Sequence, residues 1–175
     1  MRSFARIIFL LSVSICSQVW AQDIFDCARK GNTKQMEALI KVRPDTVNAV
    51  NEAGYSALII AVYRSQNDAA QFLLDHGANL DFVSDEGTAL MAACFQGNAA
   101  MAALLITKGA KVNLCNAIGT TALMMAVQAQ NHELAKLLLK NGADKTIKDK
   151  GGRSALDFAR NSGNAELMKL LEENK

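Results

Sequence analysis

One feature restricts the fold of this chain more than any other: a short motif that returns at a fixed interval. Gly54-Tyr55-Ser56-Ala57-Leu58, Gly87-Thr88-Ala89-Leu90, Gly119-Thr120-Thr121-Ala122-Leu123 and Gly152-Arg153-Ser154-Ala155-Leu156 set successive leucines 32, 33 and 33 residues apart. A second series, Gly77-Ala78, Gly109-Ala110 and Gly142-Ala143, steps by 32 and 33. Such self-similarity means an array of one small unit, each copy burying its apolar face against its neighbours. The copy from Gly119 to Gly151 shows why a single unit is insufficient. Its apolar runs, Ala122 to Ala129 and Glu133 to Lys140, are each about two helical turns long. Isolated helices shorter than roughly 12–15 residues are marginal in water.

The spacing inside the unit predicts two helices. Leu123, Ala126 and Val127 share one helical face, and Leu134 and Leu138 share another. The Ser or Thr before each Ala-Leu is a preferred N-cap, its hydroxyl accepting from an otherwise orphaned backbone N–H. Gly77, Gly109 and Gly142 close the second helix, where a left-handed residue is commonly needed. Alanine recurs at Ala61, Ala93, Ala126 and Ala159, small enough for paired helices to approach closely. Between the helices stand Gly31-Asn32, Ser65-Gln66, Gly97-Asn98, Gln130-Asn131 and Gly163-Asn164.

With these motifs the chain resembles the ankyrin repeat family, a β-turn followed by two helices every 33 residues. The resemblance covers nearly all of the chain beyond its first 21 residues. It implies an all-α solenoid of helix-turn-helix units joined by hairpin loops, over residues 22–175. The units run about 22–53 (an N-terminal cap), 54–86, 87–118, 119–151 and 152–175 (a C-terminal cap). In the first, Cys27 takes the family's alanine position and the second helix stops before Pro44. The chain departs from the family in two respects. The family's Thr-Pro-Leu-His lacks its Pro in all four copies, and Ile59, Met91, Met124 and Asp157 replace the His, which puts stability in question. The third unit is one residue short between Gly87 and Thr88, which predicts a distorted hairpin tip.

The N-terminus follows a different logic. Arg2 and Arg6, an apolar run from Ile7 to Ile15, and Val19-Trp20-Ala21 have the order of a secretory signal peptide over residues 1–21, cut before Gln22. The run is far below the roughly 20 residues that span a bilayer, so no stable membrane insertion is expected. Ile15 before Cys16 argues against lipidation there. Of 19 basic and 17 acidic residues, the leader holds two Arg and no acid, so the remainder is near neutral. It lacks the clustered basic footprint of a nucleic-acid binder. Cys27, Cys94 and Cys115 remain, an odd number, with Cys27 two units from Cys94, which argues against a disulfide framework. Cys27 and Cys94 are expected in the core, Cys115 in a connecting segment.

No phosphate loop, nucleophile elbow or metalloprotease motif is present. His76 and His132 lie two units apart and read as solvated helix-end residues, so no metal and no cofactor are expected. Lys148-Asp149-Lys150 reads as a solvated turn.

What remains is surface. In the family, partners lie across the hairpin tips and the concave face of the first helices. Carried onto this chain, that face includes Tyr55, Asp85, Glu86, Ile118 and Thr120 at the tips, and Tyr63, Arg64, Phe95, Gln96 and Gln128 on the helices. Tyr63 and Phe95 hold the same position in adjacent units, and aromatics beside Arg64 resemble a hot spot. The expectation is a non-enzymatic, monomeric, periplasmic module that binds an exported enzyme as inhibitor, immunity or accessory protein. The enzyme classes envisaged are a cell-wall hydrolase and a peroxide-handling enzyme. Two alternatives stand beside it: a secreted effector that binds host proteins, and an enzyme with an unrecognised site.

Overall fold

The structure is a computed structural model that describes residues 24–173; the expected leader and its cleavage site lie outside them. The described residues are helical. Helix α1 covers residues 24–30. It is followed by α2 (Thr33–Val42), a 3-10 turn (Pro44–Asn48), α3 (Ala57–Tyr63), α4 (Asn67–Asp75), α5 (Ala89–Phe95) and α6 (Ala99–Thr107). Helices α7 (Ala122–Gln128), α8 (His132–Lys140), α9 (Ala155–Ser162) and α10 (Ala165–Glu173) complete the order. The first helices form an inner layer in which α3 packs on α5, α5 on α7 and α7 on α9. Each also packs on the second helix of its own unit.

Each helix begins as its sequence dictates. Ser56, Thr88, Thr121 and Ser154 accept from the amides of Ile59, Met91, Met124 and Asp157. In the last unit Asp157 also reaches back to Ser154, closing a capping box. In the outer layer Asn32, Asn98, Asn131 and Asn164 cap in the same way, whereas Gln66 makes no such bond. Its longer side chain lies against Gly31, where an added Cβ would meet Gln66 Oε1 at 2.4 Å.

The core is narrow and built from small groups. Ala61, Ala93, Ala126 and Ala159 are all fully buried, beside Leu58, Leu90 and Leu123. The three apolar residues at the family's histidine position, Ile59, Met91 and Met124, are buried as well. The polar link between units is thus replaced by apolar contact, which stabilises by roughly 25 cal/mol per Å² removed from water. Cys27 and Cys94 are buried and Cys115 is exposed. Burial pushes the Cys94 thiol up to about 12, so this sulfur behaves as a small apolar group.

The second helices α4, α6 and α8 end in a Schellman arrangement. At the end of α8, Ala143 N–H donates to Leu138 C=O and Gly142 N–H to Leu139 C=O, with Gly142 at φ 83°. The turn inside each unit repeats this geometry, and two units place a side-chain-bearing residue there: Ser65 at φ 56° and Gln130 at φ 52°. The left-handed region costs an L-residue roughly 1–2 kcal/mol, part of which glycine forfeits through its freer unfolded chain. Gln130→Gly should therefore raise stability by about 0.5 kcal/mol, whereas Gly142→Ala, at a site with no steric obstacle, should lower it by about 1 kcal/mol. Urea unfolding of the two variants beside wild type measures both signs.

Candidate functional site

The site begins with the turns that precede the first helices. Asn51, Asn116 and Asp149 stand six residues before the first residue of their inner helices, and Ser84, their counterpart, stands five before. In three units the side chain closes the loop four residues on: Asn51 Oδ1 accepts from Tyr55 N–H, Asn116 Oδ1 from Thr120 N–H and Asp149 Oδ1 from Arg153 N–H. In the third unit Ser84 Oγ accepts from Gly87 N–H, only three residues on. The backbone bridge shrinks likewise, from Val50–Ser56 and Cys115–Thr121 to Ser84–Gly87. The missing residue is the counterpart of Tyr55, Thr120 and Arg153. Gly87 absorbs the deletion at φ 125°, seated on Met91, whose Sδ lies 2.3 Å from where a Cβ would stand.

Neighbouring loops are joined at two levels. At the base, Asn48 bonds Gly77 C=O and Asn79 N–H, Asp81 accepts from Lys111 N–H, and Asn113 bonds Gly142 C=O and Asp144 N–H. At the tips, Ala117 N–H donates to Asp85 C=O and Lys150 N–H to Ile118 C=O. Among the described residues no backbone bond joins the tip of the second unit to that of the third.

A cleft of about 520 Å³ opens at that break. Its floor is Ile59, Ile60 and Met91, and its walls include Tyr55, Arg64, Glu86, Gly87 and Met125. Tyr63 and Phe95 form the rim, with ring centroids 5.9 Å apart and planes 17° apart. The two rings are 48% and 63% exposed, so the pair stands on the surface and neither ring is consumed by the core. Arg29 at the cleft's edge is paired with Asp26 at 3.2 Å.

Of the residues singled out from the sequence, Tyr55, Tyr63, Arg64, Glu86 and Phe95 meet in this cleft. Asp85, Gln96, Ile118 and Gln128 are exposed outside it. Thr120 is corrected: its short side chain is 5% exposed, whereas the longer side chains at the same position, Tyr55 and Arg153, reach the surface. Met91, Met125, Ser84 and Gly87 were not singled out as site residues, although the short spacing between Gly87 and Thr88 marks their position.

Asp149 is a second correction. It is buried and accepts from Arg153 N–H, Nε and Nη2 at 2.7–3.0 Å, and Arg153 covers the Phe158 ring at 4.6 Å. The apparent charge run is a structural pin. Its carboxyl is held below the ordinary range, first by the Arg153 amide and then by the guanidinium. His132, expected to be solvated, is half-buried and contacts Asn164 Oδ1 at 3.2 Å and Glu166 at 3.4 Å in the next unit. His76 is exposed and stacked on Phe72. Among the described residues no group of three or more His, Cys, Asp or Glu is placed to hold a metal ion. Nor is any helix among them long and apolar enough to cross a membrane.

Comparison with known proteins agrees with this architecture. The profile for ankyrin repeats (three copies) matches residues 24–116 and 104–175. The human Notch-regulated ankyrin repeat-containing protein is 31% identical over 101 residues, covering 55% of this chain and 89% of its own. Ankyrin repeat protein nuc-2 of Neurospora crassa is 31% identical over 83 residues, covering 47% of this chain. The ankyrin repeat and SAM domain-containing protein 6 of rat is 36% identical over 94 residues, covering 53% of this chain. The matches span only 8% and 11% of those two longer proteins. The chain belongs to the ankyrin repeat family. Its repeats are a protein–protein interaction module.

The Asp149 pin has a defined pH signature. A carboxyl whose folded pKa lies below its unfolded value contributes stability above the unfolded pKa, about 4, and loses it as pH falls through the folded value. Asp149→Asn should be less stable than wild type at neutral pH and should show a shallower loss of stability below about pH 4. Urea midpoints across that range test this.

Proposed function

We propose that this protein is an exported, non-enzymatic binding module that acts by occupying a protein target, as inhibitor, immunity or accessory protein for an enzyme in the same compartment. The observation that carries the binding part is the exposed Tyr63–Phe95 stack. Nothing in the inner layer requires aromatics there, since the core beneath is already closed by alanine and leucine. Large rings left on the surface beside an arginine have the composition of an interface anchor.

Export rests on the order of charge, apolar run and small residue in the first 21 positions. The few cysteines and the short leader favour a bacterial periplasm over a eukaryotic secretory route. In this reading the repeats matched over residues 24–116 and 104–175 act through occupancy of their partner. A cell-wall hydrolase or a peroxide-handling enzyme is the class of target proposed.

Cell fractionation followed by affinity capture tests the reading. The protein should be found in the periplasmic fraction and should retain an exported enzyme. Retention should fall at least 10-fold in a Tyr63→Ala/Phe95→Ala variant, because hot-spot truncations cost about 2 kcal/mol or more. Equal retention by both proteins would remove the aromatic face from the interface.

A further inference from the structure

We propose that the cleft between the second and third units receives an extended peptide segment of the partner, seating one large apolar side chain against the Tyr63–Phe95 rim and one carboxylate beside Arg64. The proposal rests on the protein-binding reading and names the chemistry that this face would recognise.

Three features of the cleft lead to it. The cleft lies beside the turn that lacks one residue: the counterpart of Tyr55 and Arg153 is absent from its wall, and Gly87 closes over Met91 in its place. Its lining of Ile59, Ile60, Met125 and the Tyr63 and Phe95 rings is apolar, and a thioether such as Met125 adapts readily to an incoming apolar group. The second observation is the break in the tip ladder. It leaves the cleft open at the end toward Glu86, so a chain can run through it.

The third is charge. Arg64 lines the cleft beside the aromatic rim, and its guanidinium has no hydrogen-bond or ion-pair partner among the described residues. Arg29, by contrast, is already engaged with Asp26. A cation held next to exposed rings is matched by a planar carboxylate, which arginine binds in a bidentate fork. At the opposite end Glu86 repels an acid. The two ends are separated by the length of α3, seven residues or about 10 Å. An extended chain covers that distance in about three residues. The occupant is therefore a short segment with an apolar anchor and an acidic residue within three positions of it, the acid lying at the Arg64 end.

Panning a randomised seven-residue peptide display library on the purified protein tests this, followed by fluorescence anisotropy with the enriched peptides. Enriched sequences should pair an aromatic or large aliphatic residue with Asp or Glu within three positions. Affinity should fall at least 10-fold in Arg64→Glu, and also when one threonine is inserted between Gly87 and Thr88 to restore the length of the other turns. Lys136→Ala, on the outer layer, should bind as wild type. Arg64 is solvent-exposed, so its reversal remains informative even if the insertion unfolds the protein. No enrichment, enrichment of basic peptides, or binding indifferent to Arg64→Glu would each overturn the proposal. In those cases partner capture that still depends on Tyr63 and Phe95 would leave the protein-binding reading standing, with a folded surface in place of a peptide.

Discussion

A helix of seven residues cannot hold itself together in water, and the inner layer of this protein is made of helices of seven and eight. Each exists only because another lies against it at close range. The buried column Ala61, Ala93, Ala126 and Ala159 sets that range. A larger side chain there would force the helices apart and expose the leucines beside them. The hydroxyl and amide caps matter for the same reason. With so few hydrogen bonds inside each helix, an orphaned N–H is a large fraction of the total.

The same constraint decides where the chain is free to vary. Positions consumed by stacking are small or apolar in every unit. Variation collects on the rims, at the tips and at the ends of the inner helices. A missing residue at the tip of the third unit is tolerated because the loops are held independently at their base, by the Asn48, Asp81 and Asn113 bonds. The stack does not notice the deletion. The surface does, because an open cleft and two exposed rings come together there.

Much of this was legible from residue types alone. Caps, helix-closing glycines, the alanine column and the fate of Cys27, Cys94 and Cys115 follow from local chemistry that repeats four times. The sequence misleads where one residue's partner lies a few positions away. Thr120 sits two residues from an exposed Ile118 and inside a turn, yet its side chain is too short to reach out as Tyr55 and Arg153 do at the same position. Asp149 stands between two lysines, yet its partner is Arg153, and the pairing buries it. The cleft is harder still to read, because its wall lacks a residue that the other turns carry. Its lining from Tyr55 to Met125 is contributed by three neighbouring units. The spacing pointed to a distorted tip; that the distortion opens beneath an aromatic stack required the packing.

The uneven ladder of loops has a mechanical consequence. Between the third, fourth and fifth units the loops are tied at base and tip. Between the second and third, among the described residues, they are tied only at the base. Away from the loops that seam is crossed by side chains instead: the Tyr63–Phe95 stack, Asn98 bonded to Asn67, and Lys108 paired with Asp75. A partner that engages the two rings therefore takes hold of the seam itself, not of one unit alone.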